Sequence, residues 1–181
     1  MGCTGGQCVK IPHLQSPRLT VRPYKAADLS AFAALNADEV VRRHVGGVLS
    51  HVEANRLFER FVTGECLPGH EAWAVTRNDT AEYIGHCWFL MREGADWPEL
   101  GFLITPQYWR RGYGTEVART LVKYALGRDG YGGIIATVDP DHIACIVVLE
   151  RAGMKRMREM QDKQGTYFVY GVMAQQTKKQ K

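Results

Sequence analysis

The sequence predicts an α/β protein built on one mixed sheet. Two observations carry this. Strand-like and helix-like segments alternate along the chain as strand, two helices, three strands, helix, strand, helix and two strands, about seven strands with four helices. A strand also runs through a glycine-bearing turn straight into an amphipathic helix, in "ELGFLITPQYWRRGYGTEVARTLVKYA".

The elements follow in order. "RLTVRP" alternates, with Leu19 and Val21 on one face of a strand, and "DLSAFAALN" places Leu29, Phe32, Ala33 and Asn36 at helical spacing. "SHVE", from Ser50 to Glu53, is a capping box. Behind it Ala54, Leu57, Phe58, Phe61 and Val62 form one apolar stripe. "EAWAVTR" and "EYIGHCWFLM" are paired strands around the turn "NDTA". "WPELGFLITP" is a short strand closed by Pro106, and a helix follows with Val117, Ala118, Leu121, Val122 and Ala125 on one face. "GIIATVDP" is a buried strand, and "HIACIVVLERAG" is a helix stopped by Gly153. "MKRMREM" and "GTYFVYGVM" close the chain as strands.

The length of 181 residues suits one domain. We expect a disordered leader over 1–16, the domain over 17–174, and a basic flexible tail over 175–181. The net charge of +4 owes most of its excess to Lys178, Lys179 and Lys181, so a nucleic-acid face is not expected. No run approaches the ~18 apolar residues of a membrane span, and no signal peptide is recognisable. Gly2 beside Cys3 suggests a lipidation start, but Gly6 stands where that pattern wants Ser or Thr. Five cysteines without a C-x-x-C pair argue for a reducing cytoplasm and against a zinc site, and no metal is expected.

The glycine-bearing turn is a candidate anion site. Unpaired N–H groups and partial positive charge at a helix start suit a phosphate. Gly112 and Gly114 would clear side chains from those amides, and Arg110 and Arg111 add charge at the rim. The alternative is a turn whose glycines serve geometry alone.

The pair "GFLITPQYWRRGYGTEVARTLVKYA" and "VDPDHIACIVVLERAGMKR" resembles the GNAT N-acetyltransferases, most closely the branch typified by ribosomal-protein N-terminal acetyltransferases. The resemblance covers roughly 17–173 and is most specific from Pro98 to Met154. It implies the GNAT acyl-CoA N-acyltransferase fold, with central strands splayed apart. "WRRGYG" takes the place of the family's pyrophosphate loop, with Trp109 at the usual polar first position. The amides from Arg111 through Gly112, Tyr113, Gly114 and Thr115 would then hold the diphosphate of acetyl-CoA. The pantetheine arm would lie along the strand edge at Phe102, Leu103 and Ile104.

The resemblance implies direct transfer of an acetyl group to a primary amine, on a protein N-terminus or a small molecule, by a monomer or homodimer. A catalytically idle acyl-CoA-binding module is the alternative. Such transfer needs a neutral amine, a stabilised oxyanion and a proton for the thiolate. Glu99 stands where the branch often carries a base, with a solvated edge residue as its other reading. Glu116 reads as a first-turn acid complementing the helix dipole. His86 reads as a satisfied core histidine rather than a cleft residue. Where the branch has Asn-x-x-Ser, this chain has His142-x-x-Cys145. His142 would hold the cofactor arm. Cys145 would protonate the leaving thiolate, pack as a small apolar residue, or act as a nucleophile.

Overall fold

The computed structural model describes residues 11–63, 70–92, 94–128, 130–163 and 165–174. Among the described residues eight strands form one mixed sheet, with five α-helices. In chain order these are β1 (Leu14–Gln15), β2 (Leu19–Arg22), α1 (Leu29–Asn36), α2 (Glu39–Arg42), α3 (His51–Thr63), β3 (His70–Arg77), β4 (Tyr83–Leu90), β5 (Glu99–Ile104), α4 (Tyr113–Leu126), β6 (Gly133–Val138), α5 (Ile143–Arg151), β7 (Lys155–Asp162) and β8 (Gly165–Met173). The strand order is β1-β2-β3-β4-β5-β6-β8-β7, and β5 with β6 is the parallel pair.

The two faces of the sheet are covered differently. Trp73, Phe89, Leu100, Val117, Leu121 and Leu149 belong to the core beneath α4 and α5. Phe32, Ala33, Ala54, Phe58, Ala72 and Ala74 pack beneath α1 and α3. Strand alternation assigns each side chain to one face. Glu99, Gly101 and Leu103 on β5 are paired with Leu90, Trp88 and His86 on β4. All six therefore share the α1–α3 face.

The capping box forms as expected: the Ser50 N–H donates to Glu53 Oε2 at 2.8 Å, and the Glu53 N–H to Ser50 Oγ at 3.3 Å. Gly153, at φ +91°, ends α5. Val62 departs from the predicted stripe and is 46% exposed.

Two elements were not predicted. α2 has only four residues, too few to show a period; Asp38 caps it by accepting from the N–H groups of Val40 and Val41. β1 lies within the expected leader, where it pairs with β2. Pro12 O accepts from Trp73 Nε1 at 3.0 Å, so the chain is tied down from at least there. Positions 1–10 and the tail from 175 onward lie outside the described residues. Among the described residues no helix is long and apolar enough to cross a membrane.

Trp88 makes a local prediction. A Cβ on Gly101 would run into the Trp88 indole, which lies across the strand there. Gly101→Ala should displace that indole. The expected result is a changed tryptophan emission with a folded far-UV spectrum, checked by fluorescence and circular dichroism.

Candidate active site

The turn between β5 and α4 is built by conformations that side chains resist. Gly112 caps α4 in the left-handed region, at φ +80°, and Arg110 holds φ +59°. The first intrahelical bond runs from the Glu116 N–H to Gly112 O at 3.1 Å. The N–H groups ahead of it, through Thr115, have no helical acceptor. The two glycines serve different ends. Gly112 supplies the backbone angle. At Gly114 a Cβ would fit at ordinary contact distance, 3.4 Å from Phe102 and 3.6 Å from Val148, and only a larger side chain would press on them.

This turn is braced from the segment that leads into β2. The Arg18 guanidinium donates to Arg111 O at 3.0 Å and to Glu116 Oε2 at 2.7 Å, and the Arg18 N–H donates to Glu116 Oε1 at 2.8 Å. Ser16 Oγ adds a bond to Glu116 at 2.8 Å. Burial alone would raise the Glu116 carboxyl; the Ser16 and Arg18 donors outweigh it and hold it below its ordinary range. Glu116 thus clamps the Ser16–Arg18 segment to α4, as well as standing at a positive helix end. A cavity of about 550 Å³ opens here, lined by Arg18, Gly112, Thr115, Arg119 and Arg151 among others.

The parallel pair separates immediately. Its register holds only at Glu99 opposite Ile135, where the Ile135 N–H donates to Pro98 O at 3.0 Å. Beyond that point β5 offers a free edge. The Thr105 N–H donates to Ile84 O, so Leu103, two residues back, also turns its backbone polar groups to β4. The open edge is therefore Phe102 and Ile104, and Leu103 leaves it. Leu103 instead packs its side chain against Leu35 and Val41. Trp109 has its own task in this chain: its Nε1 donates to Ile104 O at 2.6 Å, which ties the turn to the strand.

Glu99 is not a solvated edge residue. It is 8% exposed and sits where β5 and β6 part. Arg92 Nε donates to its Oε2 at 2.7 Å, and the Thr137 hydroxyl donates to Oε1. Each carboxylate oxygen retains a second lone pair. His86 is also unlike its sequence reading. It is buried between Phe32 and Trp88, but neither ring nitrogen has a hydrogen-bond partner. Burial, helped by the charge of Arg42, lowers its pKa to about 3, so the ring is neutral.

On the far side of the opening, His142 precedes α5 and Cys145 lies in its first turn. The His142 ring stacks on His44, with centroids 4.2 Å apart, and His44 Nδ1 lies 2.9 Å from Asp139 Oδ2. Burial lowers the His142 pKa and His44 adds to this, against the pull of Asp139. Burial, with Asp139 adding to it, pushes the Cys145 thiol up to about 12. That shift works against full proton transfer from Cys145 to the leaving thiolate. A thiolate nucleophile is disfavoured at neutral pH, and the protonated thiol remains a hydrogen-bond donor. Sequence reasoning missed Arg92, Thr137, His44 and Asp139, because nothing in their local spacing marks a partner so distant along the chain. Among the described residues, no group of three or more His, Cys, Asp or Glu side chains could hold a metal ion.

The profile of the acetyltransferase (GNAT) domain matches residues 18–155. The uncharacterised N-acetyltransferase YnaD of Bacillus subtilis (strain 168) is 28% identical over 145 residues, 80% of this chain and 83% of that protein. A GNAT-family acetyltransferase from Bacillus anthracis superposes with a TM-score of 0.79 at 20% identity, over 90% of this chain and 99% of that one. The ribosomal L7/L12 α-N-protein acetyltransferase RimL, solved with coenzyme A, has a TM-score of 0.77 at 12% identity, over 90% and 98% of the two chains. Spermidine N-acetyltransferase from Vibrio cholerae, solved with CoA and spermine, has a TM-score of 0.75 at 13% identity, over 88% and 97%. The domain match spans most of the splayed sheet and the whole glycine turn, and by it the chain belongs to the GNAT acetyltransferase family.

Proposed function

We propose that this chain transfers the acetyl group of acetyl-CoA directly to a primary amine, with both substrates bound at once. The observation that carries the proposal is the parting of β5 and β6 at the buried carboxylate of Glu99, next to the glycine turn. In this reading the amides from Arg111 through Thr115 receive the diphosphate, with Arg110 and Arg111 at the rim. Phe102 and Ile104 receive the pantetheine amides as an added strand would. His142 presents a neutral imidazole to the arm.

Glu99 then works through water. A free terminal amine has an ordinary pKa of ~7.7–8.0, so a weak base relayed by water is enough to free its lone pair. The amine nitrogen attacks the thioester carbon, the C–S bond breaks, and the CoA thiolate leaves. Arg92 and Thr137 fix the carboxylate while it takes the proton. The Cys145 thiol, kept protonated by its surroundings, stabilises the departing sulfur by a hydrogen bond. The odd cysteine count suits work in the cytoplasm, and a monomer or homodimer is part of the proposal.

The Cys145 role has its own expected outcome. Cys145→Ser should keep most of the turnover, Cys145→Ala should lower it several-fold, and acetyl-CoA alone should add no acetyl mass to the wild type. Steady-state rates with intact-protein mass spectrometry check this. An unaltered rate for Cys145→Ala would leave Cys145 a packing residue, costing on the order of a kilocalorie in stability. For the proposal as a whole, thiol release from acetyl-CoA in the presence of peptides, amino acids and polyamines is the test; CoA binding without release would favour the acyl-CoA-binding module.

A further inference from the structure

A second cavity, of about 330 Å³, lies on the α1–α3 face. Leu90 lines it, and Leu90 is the direct strand partner of Glu99. The cavity is therefore on the same sheet face as Glu99, one strand away. A dry pocket of ~150 Å³ is enough to hold a benzene ring, so this one has room for a ring and a short chain.

Its walls are mostly apolar: Val45, Leu57, Phe61, Ala72, Trp88 and Leu90. Trp88 is the wall that reaches toward Glu99. A Cβ on Gly101 would run into the Trp88 indole, so the ring lies over β5 between Glu99 and Leu103. The Trp88 ring meets His86, with centroids 5.2 Å apart, and His86 meets Phe32 at 5.0 Å. A row of flat side chains thus runs inward from beside Glu99.

The charged groups of the lining are already engaged. Each guanidinium nitrogen of Arg42 donates to the chain: Nε to Gly47 O, Nη1 to Asn36 Oδ1 at 2.8 Å, and Nη2 to Val45 O at 2.6 Å. Arg60 has an interaction of its own, and Glu71 is paired with Arg128. The groups left without a partner are imidazoles. His86 is 4% exposed with both ring nitrogens unpartnered, and His70 Nδ1 is likewise unpartnered. Burial lowers the pKa of both rings. A neutral imidazole offers one N–H and one lone pair, and buried polar groups of this kind are normally satisfied. An aliphatic chain would fill the space and leave these nitrogens orphaned. An aromatic ring stacks on Trp88, turns a negative face to the Arg42 cation, and can carry a hydroxyl or ring N–H for His86. A polyamine would bring further positive charge beside Arg42, whose acceptors are all neutral.

We infer that the acceptor is an aromatic primary amine, with its ring seated against Trp88 in this cavity, the ring's polar substituent at His86, and its amine turned toward Glu99. This inference rests on the acetyl-transfer reading above.

The test compares tyramine, phenethylamine, spermidine and 2-cyclohexylethylamine, which keeps the length of phenethylamine but has no aromatic face. Each is titrated by calorimetry into the protein saturated with CoA, and each is assayed for thiol release with acetyl-CoA. Phenethylamine should exceed its saturated counterpart in kcat/KM by about two- to tenfold, the worth of an aromatic contact beyond its area. Tyramine should exceed phenethylamine by a similar factor, the net worth of one hydrogen bond. Spermidine should trail all three. Trp88→Leu should bring phenethylamine and its saturated counterpart to parity through KM, with CoA affinity unchanged. His86→Leu should remove the tyramine advantage; it breaks no hydrogen bond of the free protein, so the melting temperature should hold. If Trp88→Leu does not fold, Phe61→Leu, on the opposite wall element α3, should lower the same ratio. Parity or reversal within either wild-type pair, spermidine as the best acceptor, or undiminished ratios in the variants would overturn the inference while leaving acetyl transfer intact. So would binding of the aromatic amines without their acetylation while another amine is acetylated. CoA binding without thiol release for any amine would overturn both readings, and a wild type that does not bind CoA would strike acetyl transfer first and this inference with it.

Discussion

Gly112→Val is expected to abolish CoA binding in a protein that remains folded. Gly112 holds φ +80°, and a Cβ added there would lie 3.4 Å from Arg18 Nη2. A β-branched side chain cannot take that angle cheaply; strain of this kind costs about 1–3 kcal/mol. Relief comes from rotating the turn, which re-aims the N–H groups through Thr115 that have no helical acceptor. The wild type at about a hundredfold excess of CoA over Kd gains ~2.7 kcal/mol, a rise in melting temperature of roughly 5–10 °C for a chain of this size. That rise should vanish in Gly112→Val. Gly114→Ala, whose Cβ would meet Phe102 and Val148 at ordinary contact distances, should keep it, and Gly114→Leu should lose it. Differential scanning fluorimetry with and without CoA reads all three. A full shift in Gly112→Val would mean that the turn does not hold the cofactor.

Glu99→Gln is expected to cut turnover by about 10²–10⁴-fold with CoA affinity nearly unchanged, the usual worth of a general base. The amide keeps the shape and can still accept from Arg92 or Thr137, but it cannot take up a proton. Because Arg92 Nε and the Thr137 hydroxyl both donate to the native carboxylate, the amide also presents a donor where donors already stand, and a few degrees of thermal stability should go with it. The stability loss alone is uninformative. The kinetic loss is the informative readout, measured per folded molecule with calorimetry for CoA in parallel. A drop of less than about threefold would leave Glu99 as a structural anchor where β5 and β6 part.

The scaffold is readable from the sequence wherever a period or a cap is long enough to see. The α4 face, the Ser50–Glu53 capping box and the α5 stop at Gly153 are local patterns, and each forms where expected. β1 and α2 are two and four residues long. Such elements depend on their neighbours, β2 for the first, rather than on a pattern of their own. The site divides in the same way. The glycine turn is legible because its chemistry is backbone chemistry within one stretch. Leu103 does not lie on the free edge where the sequence reading put it, because the direction of a strand residue's N–H is set by register with β4 rather than by residue type. Glu99 is recognisable as a candidate, but its burial and its partners Arg92 and Thr137 come from tertiary packing. His86 reads as a satisfied core residue because most buried histidines are satisfied; only the walls around it show that the ring lines a cavity with its nitrogens unpartnered. The ordinary acidity of a cysteine is no guide to Cys145 either, since burial, not residue type, moves it to about 12.

The most direct measurement is a mass-resolved assay of acetyl-CoA with a mixed panel of primary amines and purified protein. Direct transfer predicts one acetylated amine for each CoA thiol released, dependence on both substrates, and no acetyl adduct on the protein at any time. Acetyl-CoA binding without any acetylated amine, or an acetyl group found on the protein before it reaches an amine, would contradict it.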